Sequence, residues 1–257
     1  GILERDSVRL LLDSGVSDRV LRDGQEHQGI DLRFGGVSHR IDFQKLVGAS
    51  CWLYPQTDVF LDLHAARIRD GGDLRYGISD TEVTDHRNDP HVSYTDADGA
   101  RHEVTTELVV GADGSRSICR DLVSDPQRYF REYPFAWFGI LAEAPQSAPE
   151  LIYTRSPHGF ALISQRTPTV QRMYFQCDSD ENPDDWSDDR IWAELQRRVA
   201  GDDGFSLNEG PIIQRSVLPF RSFVQTPMRH GRLVLAGVVL ARALVEAHCH
   251  YGACGRF

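Results

Sequence analysis

Side chains suited to binding a small organic acid are concentrated in residues 150–176. Tyr153 and Tyr174 carry phenols, Ser164 a hydroxyl and Arg166 a guanidinium, and Arg172 follows in the same stretch. A guanidinium can hold both oxygens of a planar carboxylate, and hydroxyl groups can donate to the same oxygens. If these side chains share one surface, they can form a carboxylate-binding site.

The elements that must bring these side chains together are predicted to be three antiparallel strands, at residues 150–155, 160–166 and 172–177. The turn at residues 156–159 contains Pro and Gly, both strong turn formers, and it would place Tyr153 opposite Leu162. Side chains alternate between the two faces of a strand. Tyr153 therefore shares a face with Phe160, Leu162, Ser164 and Arg166.

The register between the second and third strands is predicted from side-chain chemistry, and two registers compete. A five-residue loop would set Arg166 opposite Arg172 and Ser164 opposite Tyr174. Like charges directly across a sheet repel each other, so this register favours a bound anion between them. The alternative is that these are ordinary half-buried strands whose arginines reach solvent.

A second informative motif lies at residues 107–116, where a buried-strand pattern runs into Gly111-Ala112-Asp113-Gly114. Glycine lets a ligand approach the backbone, and ligands of open α/β folds bind at such strand ends. An Asp-Gly pair is also a common turn, so the motif by itself leaves both interpretations open. His27 precedes a predicted hairpin around Gly35-Gly36, and as a lone histidine it is predicted to lie at the surface.

Composition excludes several classes of function. The 257 residues allow one large or two smaller domains, and the net charge of -10 argues against a nucleic-acid-binding or anionic-membrane surface. The sequence contains neither a membrane-length apolar run nor a signal-peptide pattern, so we expect a cytoplasmic protein. Five scattered cysteines indicate reduced thiols. No metal site is predicted, either in the closing run 248–254 or in the Asp96–Gly99 turn.

Further motifs accompany these sites along residues 1–237: GILE, DG-x2-H-x-G, YPQTDV, GADG, YPFAWFGILAE, ELIY, GFALISQR, DWSDDRIWAEL, LPFRSFV and HGRLVLAG. With them, the chain resembles the para-hydroxybenzoate hydroxylase family of flavin-dependent aromatic monooxygenases. The resemblance implies an α/β fold in which an incomplete Rossmann-like FAD-binding domain is interleaved with a mixed-sheet substrate domain. It assigns residues 1–26, 53–122 and 227–257 to the FAD-binding domain, and residues 27–52 and 123–226 to the substrate domain.

The resemblance also implies a role for particular residues. Tyr153 would bind the substrate phenol, while Ser164, Arg166 and Tyr174 would hold its carboxylate. His27 would be the solvent end of a proton relay, which replaces the surface interpretation. The implied cofactor contacts are Gln56, Asp113, Gly114 and Arg172 for FAD, and Arg120 and Arg221 for NADPH. Arg116 stands where the family usually has histidine, so NADH stays open beside NADPH.

The implied reaction is the FAD-dependent, NADPH-consuming hydroxylation of 4-hydroxybenzoate to 3,4-dihydroxybenzoate by dioxygen, in a homodimer. Three family features have no counterpart in this sequence: the Gly-rich N-terminal strand, the Asp and proline-rich stretch after Gly237, and the long C-terminal region. A fragment is therefore expected, with a frameshift after Gly237 as a hypothesis. The alternative function is an inactive remnant that at most binds aromatic acids weakly.

Overall fold

The structure, a computed structural model, is mixed α/β and describes residues 1–236. The chain divides into two compact units. The first unit contains residues 1–72 and 133–220, and the second contains residues 73–132 and the described residues from 221 onward. These two units do not coincide with the predicted FAD-binding and substrate domains. The assignment of residues to those two domains stays a prediction. Residues 248–254, where no metal site is predicted, lie outside the described residues. So do residues 237–257 of the predicted FAD-binding domain.

The elements follow one another in three stretches of the chain. The first stretch contains β1 (Ile2–Leu3), α1 (Arg5–Asp13), α2 (Arg19–Asp23), β2 (Gln25–His27), β3 (Gly29–Phe34), β4 (Val37–Asp42), α3 (Phe43–Val47), β5 (Cys51–Leu53) and α4 (Gln56–Arg69). The second contains β6 (Ser79–Thr84), β7 (His91–Thr95), β8 (Arg101–Thr105), β9 (Val109–Gly111), α5 (Ile118–Asp121) and β10 (Gln127–Glu143). The third contains β11 (Ile152–Ser156), β12 (Gly159–Thr167), β13 (Val170–Cys177), α6 (Asp188–Val199), β14 (Ile212–Thr226), β15 (Arg229–His230) and β16 (Leu233–Leu235).

The first unit is built on a seven-stranded sheet with the order β14-β10-β13-β12-β11-β3-β4. Strand β11 pairs with β3 in parallel. The pairs β11–β12, β12–β13 and β10–β13 are antiparallel. Gly35 and Gly36 turn β3 into β4 at φ +61° and +81°, a left-handed conformation that glycine adopts without strain. This confirms the predicted hairpin. A smaller sheet, β1-β5-β2, completes the strands of this unit.

Helix α6 covers one face of the large sheet. Its N-cap is Ser187, whose hydroxyl accepts from the Arg190 amide at 3.3 Å. Its apolar side chains recur at helical spacing and pack on the sheet. The buried cluster contains Phe138, Ile140, Ile163, Met173, Phe175, Ile191, Trp192, Leu195 and Val199. The main core of the first unit therefore lies between α6 and this face of the sheet.

The second unit has its own small core, which contains Val83, Cys119, Val123, Leu233 and Leu235. Strand β16 pairs in parallel with β9, and β6-β7-β8 form an antiparallel meander. The Asp96 carboxylate accepts from the amides of Asp98 and Ala100, which confirms the turn between β7 and β8. Within residues 1–236, no helix combines the length and apolar content needed to cross a bilayer.

Candidate functional site

The candidate site lies on the face of the seven-stranded sheet turned away from α6. Thr154 donates its hydroxyl to the Arg198 carbonyl of α6 at 2.8 Å, so its neighbour Tyr153 must point to the other face. Tyr153 stands directly opposite Leu162, which confirms the predicted hairpin register. Leu162 in turn stands opposite Tyr174. These three residues form one row across β11, β12 and β13.

The register that a five-residue loop would give to β12 and β13 is wrong by two residues. Ser164 stands opposite Arg172 rather than Tyr174, and Arg166 has no direct partner because the pairing slips between Gln165 and Thr167. The strands turn tightly, with Thr167 opposite Val170, instead of through a five-residue loop. A shift of two residues preserves the face on which each side chain lies. The predicted residues therefore stay on one side of the sheet although their cross-strand partners change.

A cavity of about 220 Å³ opens on this face. Its polar lining is provided by Arg166, Arg172, Tyr174, Gln214 and Ser216, and no residue that lines it is acidic. The Arg172 guanidinium lies 5.7 Å from the centre of the Tyr174 ring. Arg166 makes no hydrogen bond or ion pair with any other residue of the described chain, so its guanidinium is available for a ligand. Two cations without an acidic neighbour in the lining make this cavity suitable for an anion.

Two of the predicted substrate residues do not line the cavity. The Ser164 side chain is buried, and its hydroxyl donates to the Arg172 carbonyl oxygen at 2.8 Å. Tyr153 is half-buried, and its ring centre lies 5.9 Å from that of Phe160. The structure thus brings Arg166, Arg172 and Tyr174 together at the cavity. Ser164 lies beside Arg172, and Tyr153 lies two strands away from Tyr174.

Aromatic rings connect the two ends of this face. The Trp137 ring centre lies 5.0 Å from that of Phe160 and 6.5 Å from that of Tyr174. The same indole meets Phe220 edge-on at 5.3 Å. Aromatic pairs at such distances are mutually attractive and present flat apolar surfaces. The rings between Tyr153 and the cavity therefore provide a surface on which an aromatic ligand can pack.

Gly139 lines the cavity at a position where a side chain would crowd its neighbours. A Cβ at this position would lie 3.1 Å from Tyr174 Cε1 and 3.3 Å from Ser216 Oγ. We expect Gly139→Ala to displace the Tyr174 ring and to lower the free energy of unfolding by about 1 kcal/mol, as overpacking does. Urea denaturation measures this loss. Gly99→Ala, at a turn with φ +82° and open space, is the control for backbone strain without crowding.

His27 is a buried residue, which contradicts the surface interpretation. It ends β2, pairs with Cys51 of β5 and has 1% of its surface exposed. Neither ring nitrogen has a hydrogen-bond partner among the described residues. Burial lowers the pKa of His27, Glu150 opposes this effect, and Arg40 adds to it. The imidazole is therefore biased toward its neutral, proton-accepting form.

Asp113 and Gly114 follow β9 in the second unit. The Asp113 carboxylate accepts from Ser117 Oγ at 2.6 Å and from the Cys119 amide at 3.1 Å, so it organises the start of α5. Burial alone would raise the pKa of Asp113, but these hydrogen bonds outweigh it and hold that pKa below its usual value. Gly114 has φ +73°, and its missing side chain would meet nothing within 4 Å. Its backbone is thus open to a ligand.

The family profile described as the FAD binding domain matches residues 1–238. The chain belongs to the FAD-binding domain family. A p-hydroxybenzoate hydroxylase from Acinetobacter baylyi is 39% identical over 240 residues, which are 92% of this chain and 59% of that protein. A probable NADH-specific resorcinol 4-hydroxylase from Rhodococcus jostii is 24% identical over 171 residues, which are 64% of this chain and 31% of that protein. The chain thus spans less than two thirds of either relative.

Solved structures of the same fold agree with this family. The p-nitrophenol 4-monooxygenase of Pseudomonas putida aligns with a TM-score of 0.77 at 14% identity, over 96% of this chain and 67% of that one. The complex of aklavinone-11 hydroxylase with FAD and aklavinone aligns with a TM-score of 0.70 at 18% identity, over 93% and 49%. At such identities the agreement concerns the fold, and it confirms the predicted α/β class.

The residues expected to contact cofactors in an FAD-binding domain lie in both units. Gln56, the first residue of α4, is exposed in the first unit, where Arg172 lines the cavity. In the second unit, the Arg120 guanidinium lies 5.0 Å from the centre of the Phe223 ring, and Arg221 is exposed on β14. The open backbone at Gly114 fits the close approach of a dinucleotide. These cofactor roles stay predictions.

Sequence reasoning did not identify Gly139, Gln214, Ser216 or Leu218 as residues of the cavity. Gln214, Ser216 and Leu218 alternate along β14 and all line the cavity. This alternation is visible in the sequence and places the three side chains on one face of a strand. The sequence does not reveal that β14 lies next to β10, which brings that face to the site.

Proposed function

We propose that the protein contains the substrate-binding part, and a portion of the FAD-binding part, of an FAD-dependent aromatic hydroxylase. Its reaction would be the conversion of 4-hydroxybenzoate to 3,4-dihydroxybenzoate by dioxygen, with NADPH as the reductant. The observation that carries this proposal is the cavity lined by Arg166, Arg172 and Tyr174 without an acidic residue. The Acinetobacter relative, p-hydroxybenzoate hydroxylase, supports the choice of substrate.

The two ends of such a substrate would be bound by different strands. Arg166 and Tyr174 would bind the carboxylate at the cavity, with Ser164 beside them after rotation of its hydroxyl away from the Arg172 carbonyl. Tyr153 lies two strands from Tyr174, a separation of ~10 Å at the usual strand spacing. A substrate with a carboxylate and a phenol at opposite ends of an aromatic ring can span part of the distance between Tyr174 and Tyr153. The Trp137 and Phe160 rings would pack against its apolar surface.

Ionising the phenol makes its ring a better nucleophile, so the site must remove a proton. A free phenol has a pKa near ~10, well above neutral pH. A hydrogen bond from Tyr153 would stabilise the phenolate oxygen. His27 would accept the proton at a ring nitrogen and pass it to solvent, for which its neutral form is required.

FAD, when bound, supplies the oxygen chemistry that no amino-acid side chain can perform. Gln56, Asp113, Gly114 and Arg172 would hold it, and Arg120 and Arg221 would contact NADPH. The Rhodococcus relative is named as NADH-specific, so both reductants belong in any assay. We further propose a cytoplasmic homodimer, in line with the family resemblance.

The second candidate function is aromatic-acid binding without turnover. It is favoured by the location of the cavity, because every residue that lines it belongs to the first unit. The chain also spans only 59% of the Acinetobacter relative. A ligand could therefore bind even where a cofactor does not.

Ligand binding provides the first test. We expect 4-hydroxybenzoate to bind at least about tenfold more tightly than 4-hydroxybenzamide, because only the acid offers a charged acceptor to Arg166. Quenching of tryptophan fluorescence or isothermal titration calorimetry measures both dissociation constants. Phenol serves as the control that lacks the second polar group. Equal affinities for the acid and the amide would contradict the carboxylate assignment.

Cofactor content separates the two candidate functions. A yellow protein that retains FAD and oxidises NADPH or NADH only when 4-hydroxybenzoate is present supports the hydroxylase. A colourless protein that binds the acid, does not take up added FAD and consumes neither reductant supports the binder. Absence of acid binding in either preparation would contradict both.

A further inference from the structure

The side chain of Glu150 joins the segment that carries His27 to the strand that carries Tyr153. Its Oε1 accepts from the Gln28 amide at 2.6 Å and from the Gly29 amide at 3.2 Å, and its Oε2 accepts from the Arg40 guanidinium. Only 9% of its surface is exposed. A carboxylate with this many charge-assisted hydrogen bonds is held firmly in place.

These hydrogen bonds connect the backbone after His27 to the start of β11. Gln28 follows His27 directly, and Gly29 begins β3, while Glu150 lies just before β11. Strands β3 and β11 pair in parallel, with Tyr153 opposite Leu32, and the Asp31 amide donates to the Leu151 carbonyl at 2.9 Å. Glu150 thus fixes the backbone between β2 and β3 at the point where β11 starts. Its position determines where His27 lies relative to Tyr153.

Glu150 also acts on His27 through its negative charge. Among the described residues, the charged groups that act on the His27 imidazole are Glu150, which favours the protonated ring, and Arg40, which disfavours it. The neighbouring Cys51 thiol contacts the His27 carbonyl oxygen at 3.7 Å, and burial raises its pKa to about 11, so it stays neutral at physiological pH. Glu150 and Arg40 therefore act on the same ring with opposite signs.

We propose that Glu150 is a positioning residue that holds the His27 segment against the strand of Tyr153 and keeps a negative charge beside the imidazole, with Arg40 as the opposing charge. Its importance for proton exit rests on the proposed function of His27. The contacts themselves do not depend on a cofactor or a substrate. Both the placement and the charge can therefore be tested on the protein alone.

The charge is tested by titrating His27. The full chain is labelled at histidine Cε1, and the His27 signal is identified by its loss in His27→Gln. We expect Glu150→Gln to weaken proton binding by His27 about threefold or more, and Arg40→Gln to strengthen it, since a negative charge favours the protonated ring and a positive charge disfavours it. Shifts in the same direction, or none in either variant, would overturn the proposal. Arg40→Gln leaves the hydrogen bonds from the Gln28 and Gly29 amides to Glu150 in place. If Glu150→Gln does not fold, the direction of the change in proton binding by His27 in Arg40→Gln still tests the proposal.

The placement is tested by hydrogen exchange at Gln28 and Gly29. Glu150→Ala should accelerate exchange of both amides at least about tenfold, whereas Glu150→Gln keeps an acceptor oxygen and should restore most of the protection. Unchanged exchange in Glu150→Ala would refute the positioning role. These measurements need neither turnover nor ligand. A protein that behaves as expected here and yet fails to bind 4-hydroxybenzoate would lose the proposed function and keep this inference.

Discussion

Arg166→Ala should weaken binding of 4-hydroxybenzoate by about 1.5–3 kcal/mol, the contribution of a hydrogen bond to a charged group. Arg166 lines the cavity and has no partner in the described chain, so its guanidinium is free to bind a carboxylate. Calorimetric titration of the variant and the unchanged protein gives the difference directly. Binding of uncharged 4-hydroxybenzamide should change far less, because the amide offers no anionic oxygen.

Two substitutions serve as controls for this result. Arg155→Ala removes an exposed arginine of β11 that does not line the cavity, and it should leave the affinity unchanged. Arg166→Lys keeps the positive charge and loses the planar fork, so it should recover only part of the binding. An equal loss for the acid and the amide in Arg166→Ala would show that the residue supports the cavity without contacting the carboxylate.

Phe175→Ala should lower the free energy of unfolding by about 3–5 kcal/mol, the usual cost of truncating a buried phenylalanine. The Phe175 side chain is fully buried and stacks on Phe138 with ring centres 4.7 Å apart. The Arg198 guanidinium lies 4.9 Å from the same ring. The loss is measured by urea denaturation followed by circular dichroism.

The position of Phe175 makes this substitution informative for the site. Phe175 lies next to Tyr174 in β13 and points to the opposite face, so it contacts α6 and not the cavity. Phe34→Ala, at a position that is 50% exposed on β3, is the matched control and should cost well under half as much. A loss below about 1 kcal/mol for Phe175→Ala would mean that the face toward α6 is not the stabilising core.

Local patterns in the sequence were enough to predict several features. The turn at residues 156–159 fixed Tyr153 opposite Leu162, because a short hairpin loop leaves little freedom of register. The Gly35-Gly36 turn was likewise predictable from neighbouring residues. Strand alternation assigned Ser164, Arg166 and Tyr174 to the correct face even though their cross-strand partners were predicted wrongly. Motifs along the chain identified the family.

Features that depend on distant residues could not be predicted in this way. The register of β12 and β13 differs because the strands turn tightly and the pairing slips between Gln165 and Thr167, and such a slip depends on how the whole sheet twists and packs. His27 looked like a surface residue because nothing nearby in the sequence shows that β5 and the Glu150 segment cover it. The roles of Gln214 and Gly139 depend on β14 lying beside β10.

The sequence by itself determined the family and the set of polar groups offered to a ligand, because residue types and strand periodicity are local properties. Only the tertiary structure decided which of those groups meet. It placed Arg166, Arg172 and Tyr174 around one cavity with Gln214 and Ser216. It also engaged Ser164 with a backbone carbonyl and buried His27 near the Glu150–Arg40 pair. The arrival of β14 at this site and the burial of His27 follow from pairing between strands that are far apart in the chain, which local sequence patterns do not reveal.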